Sequence, residues 1–334
     1  MSATIRTIAV VGSTGKQGSG VVSALLSSTP FTVRAVTRNP SSDTAKALLT
    51  KHDDAVKDGR LEVVAGDLAD EESLEKAFQG VERLFAAWMS YGDELAEGKR
   101  LVNAAKAAGI AHFVYSTLPS ISKASDGTLT KCRTFDAKPE VAANAKEQLP
   151  AVTEVVPGGF FANLHTPLYT TRTDDGTVIF RCPIKATSTI EWLDESYDVG
   201  VFAAAIFNKG VASTAGKLYP IMGPPLTMPE LAGEYEAATG EKTLVRPLPL
   251  DEALGMLPYP QVVRDMLGDM YKYIDMEDPS KRMYGTTDPA EAKSYEELGV
   301  RASTFREWIE RTGFRAAGET SGWKRGVAIG RRRT

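Results

Sequence analysis

Gly12, Gly15 and Gly18 stand three residues apart in Val10-Val11-Gly12-Ser13-Thr14-Gly15-Lys16-Gln17-Gly18, directly behind the apolar run Ile8-Ala9-Val10-Val11. The run reads as a buried strand, and Val21-Val22-Ser23-Ala24-Leu25-Leu26 as the inner face of a helix. A strand, a glycine-punctuated turn and a helix form the first unit of a dinucleotide-binding fold. Gly12 permits the tight turn, Gly15 lets backbone N–H groups approach a pyrophosphate, and Gly18 lets the helix pack closely on the strand. The helix start then offers open N–H donors and a positive dipole end to the phosphates. Thr14, Lys16 and Gln17 belong to the same turn and join the three glycines as cofactor-binding candidates. Two other glycine-rich chemistries are excluded. Gln17 follows Gly15-Lys16 where a P-loop needs Ser or Thr for magnesium, and Gly12-Ser13-Thr14-Gly15 lacks the Gly-x-Ser-x-Gly spacing of a serine-hydrolase elbow.

The residue ending the second strand, about twenty positions beyond the glycines, reads the adenosine ribose in this fold. An acid there accepts from the free 2′-hydroxyl of NAD, whereas an arginine pairs with the 2′-phosphate of NADP. Here it is Arg38, with Asn39 beside it, and no acid occurs between Phe31 and Ser42. The cofactor expected is NADP(H). Asp67 and Leu68, ending the third strand, sit where adenine is held. Ser116 ends the fifth strand with a hydroxyl placed to orient a ligand, whereas Tyr115 alternates to the other face and reads as core. Pro157, Gly158 and Phe160 follow the sixth strand, where the nicotinamide should rest, and Trp88 follows the fourth. Phe160 and Trp88 would wall the ring from water.

The elements that carry these residues alternate. Strands are expected at Phe31–Val36, Leu61–Ala65, Val81–Met89, His112–Thr117 and Val152–Val156. Helices are expected over Asp43–Lys51, Glu71–Phe78, Glu94–Ala108 and Arg133–Leu149. That rhythm predicts an α/β chain with a doubly wound parallel sheet, the Rossmann arrangement, whose ligands bind at the C-terminal strand ends. After Gly158 the rhythm breaks into short β segments. A helix over Ser196–Asn208, strands at Lys217–Met222 and Thr243–Pro247, a helix capped by Thr227 and Glu230, and mainly helical residues over 250–313 follow. The organisation expected is a nucleotide-binding domain over 1–158, a smaller interleaved α+β region for substrate or partner over 159–313, and a flexible tail over 314–334 ending in Arg331-Arg332-Arg333.

Composition narrows the class. A net charge of −4 over 334 residues gives no global basic field for direct nucleic-acid binding. Two cysteines and three scattered histidines give neither a disulfide framework nor a metal-ligand pattern. The longest apolar run, Val199–Phe207, is too short to cross a bilayer, and no leader-like segment precedes the first strand. A cytoplasmic protein, with the nucleus open to it, is the expectation.

Taken in order, Gly12-x-x-Gly15-x-Gln17-Gly18, Thr37-Arg38-Asn39-Pro40, Gly66-Asp67-Leu68, Phe135-Asp136-x-Lys138, Pro157-Gly158-x-Phe160-x-x-Asn163 and Phe305-x-x-Trp308 resemble the NmrA-like family. These are atypical short-chain dehydrogenase/reductases related to isoflavone reductases, and the resemblance runs over roughly residues 5–313. It implies either an NADPH-dependent reductase of a small, largely apolar carbonyl, enone, imine or quinone, or a non-catalytic NADP(H) sensor that binds a protein partner. Ordinary short-chain dehydrogenases use Tyr-x-x-x-Lys, whose tyrosine protonates the developing alkoxide. Lys138 stands in the lysine position, but Thr134 stands where the tyrosine belongs, and its hydroxyl is far too weak an acid for that work. In the reductase branch a lone lysine can orient the cofactor and supply a proton, so Lys138 is the catalytic candidate as well as a cofactor-binding one. The balance leans towards an enzyme.

Overall fold

A computed structural model describes residues 6–90, 92–278 and 294–316. The chain runs β1 (Thr7–Val11), α1 (Lys16–Ser28), β2 (Thr32–Thr37), α2 (Asp43–Lys51), α3 (Asp53–Lys57), β3 (Leu61–Ala65), α4 (Glu71–Ala77) and β4 (Arg83–Ala86). It continues through α5 (Glu94–Ala107), β5 (His112–Ser116), α6 (Ile121–Ala124), α7 (Arg133–Gln148), β6 (Val152–Pro157) and β7 (Gly159–Phe160). Then come β8 (Thr170–Arg172), β9 (Val178–Cys182), β10 (Ile190–Leu193), α8 (Asp198–Lys209), α9 (Val211–Thr214), β11 (Leu218–Ile221) and β12 (Pro225–Leu226). The described remainder holds α10 (Met228–Thr239), β13 (Thr243–Pro247), α11 (Leu250–Gly255), α12 (Gln261–Ile274) and α13 (Phe305–Thr312).

Seven strands form one parallel sheet in the order β3-β2-β1-β4-β5-β6-β11. Its strands are near-continuous apolar runs because both faces are covered. Alternation along β1 splits them: Ile8 and Val10 face one layer, with Val21, Val22 and Leu25 of α1 and Phe202 and Ile206 of α8. Ala9 and Val11 face the other, with Leu74 of α4, Leu101 of α5 and Val141 of α7. This is the doubly wound arrangement. A third core belongs to the C-terminal region, where two three-stranded sheets, β12-β10-β7 and β13-β9-β8, enclose Phe161, Trp192, Tyr235 and Trp308. Thr227 and Glu230 form a reciprocal capping box at the start of α10, as their spacing suggests.

The structure revises several boundaries. β4 ends at Ala86, short of the apolar run Val81–Met89, at the level where its neighbour β1 gives way to the Gly12 turn. The expected tail begins too early at 314: Phe314 is 1% exposed against Trp308, His165 and Tyr235, and Ala316 is also buried. Arg331-Arg332-Arg333 and the rest of the expected tail from 317 lie outside the described residues.

Candidate functional site

At the C-terminal edge of the sheet, β1 lies between β2 and β4, and the chain winds outward from this pair in opposite directions. The crevice at such a reversal is where open α/β sheets take ligands. The glycine turn lies there. Gly12 has φ +78°, and a Cβ on it would lie 2.0 Å from the Ala87 carbonyl oxygen. A Cβ on Gly18 would lie 2.2 Å from the Gly12 oxygen, so the turn, the helix and β4 meet backbone to backbone. The Gly15 N–H donates to the Gly12 oxygen at 2.9 Å, and α1 starts at Gly15 with no side-chain cap on its first N–H groups. Ser13 Oγ donates to the Val36 oxygen at 2.9 Å and ties the turn to the end of β2.

The other turn residues divide. Thr14 is half-buried. Ser116 Oγ donates to Gln17 Oε1 at 2.8 Å, which joins the first turn of α1 to the end of β5. Lys16 turns to a different partner: its ammonium lies 3.2 Å from Glu195 Oε1, a buried carboxylate in the loop after β10. Burial pushes the Glu195 carboxyl above its ordinary range, opposed by Lys16. Further along the edge, Arg38 and Asn39 are exposed beyond β2, and Asn39 Oδ1 accepts from the Ser41 N–H at 2.9 Å. After β3, Asp67 Oδ1 accepts from the Ala69 N–H at 3.0 Å, and the Leu68 oxygen accepts from Arg100 Nε at 2.7 Å. At the other end, Pro157 and Gly158 are buried. The Gly158 N–H donates to the Ile221 oxygen at 3.0 Å, and a Cβ there would lie 1.9 Å from the Glu191 oxygen. Phe160 is half-buried in β7, paired with Leu193 and packed on the core that contains Ala87.

Lys138 lies inside the protein. Its side chain is 8% exposed, and its ammonium sits 2.7 Å from Glu94 Oε1, in the first turn of α5, and donates to the Trp88 oxygen at 2.7 Å. The Trp88 and Tyr115 rings lie 5.0 and 5.8 Å from the charge. Burial draws the Lys138 pKa down, while Glu94 and then Glu97 hold it up. Tyr115, a core residue as its alternation suggests, is pushed well above the ordinary phenol range by burial and by Glu94, so it stays neutral. Trp88 is fixed from behind: its Nε1 donates to Glu97 Oε2 at 3.1 Å, and Ser90 Oγ donates to Glu97 Oε1 at 2.9 Å. Thr134, in the vacated tyrosine position, is buried.

One connected set therefore holds the glycine turn, Gln17, Ser116, Trp88 and Lys138, while Arg38, Asn39, Asp67 and Leu68 follow along the strand ends and Lys16 is drawn aside. Sequence reasoning passed over Ser13, Glu94 and Glu97. The two glutamates read as acids favoured by a helix N-terminus. Only the placement of α5 against α7 reveals their second use. Among the described residues no group of His, Cys, Asp or Glu could hold a metal, and no helix is long and apolar enough to cross a membrane.

The arrangement has relatives. A curated oxidoreductase, FrzB of Cladobotryum sp, is 27% identical over 314 residues, covering 87% of this chain and 89% of that protein. The nitrogen metabolite repression protein nmr of Neurospora crassa is 28% identical over 63% of this chain, a match that spans 48% of its own length. The crystal structure of NmrA, a negative transcriptional regulator, in complex with NADP superposes with a TM-score of 0.78 at 20% identity, covering 97% of this chain and 98% of that one. At that identity the likeness concerns the fold. The family model for the NmrA-like family matches residues 4–309, and the chain belongs to that family.

Proposed function

We propose that the chain is an NADPH-dependent oxidoreductase acting on a small, largely apolar carbonyl, enone, imine or quinone. The observation that carries this reading is the Lys138 ammonium, buried at the crevice, ion-paired with the Glu94 carboxylate and donating a hydrogen bond to the Trp88 carbonyl. An ammonium has three donors and the Trp88 carbonyl takes one, so donor capacity remains for a ligand. The turn fits a dinucleotide: the Gly12–Ala87 and Gly18–Gly12 approaches leave no room for any side chain, and the first N–H groups of α1 carry no side-chain cap. In this reading those N–H groups bind the pyrophosphate, and the exposed Arg38 pairs with the 2′-phosphate. Lys138 donates its remaining proton to a ribose hydroxyl or to the oxygen being reduced, and Trp88 and Phe160 keep the reacting face dry. NADPH held there would supply the hydride.

The test is NADPH consumption over a panel of carbonyls, enones and quinones, with Lys138→Ala as the control. Loss of turnover in that variant supports the role, and undiminished turnover removes Lys138 from the mechanism. One observation favours a second reading, a non-catalytic NADP(H) sensor that acts through a protein partner: Thr134 supplies no acid where a tyrosine would. Partner capture that differs between NADP+ and NADPH, with no turnover on the panel, would select it.

A further inference from the structure

We infer that Glu94 is a positioning residue for Lys138: its buried carboxylate keeps the ammonium charged and turned so that one N–H remains for the ribose of a bound dinucleotide. This rests on the reading of the site given above. The two side chains are 8% and 4% exposed and 2.7 Å apart, so neither has water as an alternative partner. An unpaired ammonium at such a depth sheds its proton, because desolvation penalises the charged form. Glu94 itself stands in the first turn of α5, at the positive end of the helix dipole.

Among the described residues no other acid is ion-paired with Lys138. From α5, Glu97 also faces the lysine, but its two oxygens are occupied by Trp88 Nε1 and Ser90 Oγ. From β5, Tyr115 presents a neutral ring. From β6, Glu154 reaches towards Tyr115 but is ion-paired with Lys146. On α7 itself, Asp136 accepts from Ser120 Oγ, the Ser122 N–H and Ser122 Oγ through one oxygen. The remaining acceptor, the Trp88 carbonyl, carries no charge. Glu94 is therefore the main support for the charge of Lys138, with Glu97 adding to it from farther off, and Glu97, by fixing the Trp88 loop, sets the direction of the lysine's hydrogen bond to the Trp88 carbonyl.

The test reads the lysine directly. Protein labelled with 13C at the lysine Cε is titrated by NMR, with the Lys138 signal assigned by its loss in Lys138→Met. In Glu94→Gln the midpoint should fall by about two pH units or more, the range that buried lysines display, and Glu94→Asp should restore part of the shift. NADPH affinity of Glu94→Gln should then weaken about tenfold between pH 6 and pH 8 relative to wild type. An unchanged Lys138 midpoint in Glu94→Gln overturns the inference. If wild type binds neither NADPH nor NADP+, the dinucleotide reading fails, and the Lys138 titration still decides whether Glu94 sets its charge. Should Glu94→Gln fold poorly, the double variant Glu94→Gln/Lys138→Met decides: recovered melting temperature shows the coupling, and additive losses overturn it.

Discussion

Arg38 is exposed and has no ion-pair partner among the described residues, which suits a guanidinium kept for a phosphate. Arg38→Ala should weaken NADPH binding roughly 10- to 100-fold while leaving NADH nearly untouched, since hydrogen bonds to charged groups contribute about 1.5–3 kcal/mol. Calorimetry at two salt concentrations checks this, and the wild-type preference should narrow at high salt. Gly18→Ala should abolish dinucleotide binding altogether, because its new methyl meets the backbone of Gly12, which has no rotamer to move. Fluorescence titration with NADPH, beside a melting curve, separates lost binding from lost fold. At this scale much was legible. The tight turn was readable from the spacing of the glycines, and the place of Lys138 on the helix after β5 from the order of the elements. Glu94 was not, because an acid after Asp93 at a helix start has a sufficient local explanation, and the contact that matters comes from a helix some forty residues further along.

Among the elements, α1 and α8 meet at Gly20 and Gly200 with no side chain between them. A Cβ on Gly20 would lie 2.3 Å from the Ser196 oxygen and one on Gly200 2.3 Å from the Gly20 oxygen, so the helices touch through bare backbone. Gly200→Ala should cost about 1–3 kcal/mol by forcing them apart, measurable by denaturant unfolding. Across the sheet, His112 at the start of β5 is fully buried beside Thr153 of β6, with Nε2 2.8 Å from Thr153 Oγ1. Burial, helped by Arg83, lowers its pKa to about 4 from the usual 6.5. The unfolded chain therefore takes up the proton first, and stability that is complete above about pH 6.5 is lost as pH falls towards 4. That loss amounts to about 3 kcal/mol. His112→Gln should remove this component, seen as a smaller drop in unfolding free energy between pH 7 and pH 4. The alternation of strands and helices was readable because each strand is a short apolar run closed by a turn residue. The glycine pair was not, since Gly20 and Gly200 meet only after 180 residues of chain have folded between them.

For the whole molecule, the seventh strand decides the organisation. β11 comes from beyond residue 158 yet extends the main sheet by pairing with β6, from Leu218↔Glu154 to Ile221↔Pro157. The chain 1–158 alone would leave β6 as an open apolar edge and strip α8 from the face covered by Phe202 and Ile206. We expect that fragment to bind a hydrophobic dye and to lack a cooperative melt, in contrast to the full chain. The sequence shows the two regions interleaved but not which strand crosses, because an apolar four-residue segment has no mark of its partner. The Gly12 turn carries a last consequence. It leaves no room for a side chain beside the oxygen of Ala87, and the very next carbonyl, that of Trp88, is the one that anchors Lys138. The glycine turn and the Lys138 anchor thus meet on two successive peptide units, so a substitution that shifts one should displace the other.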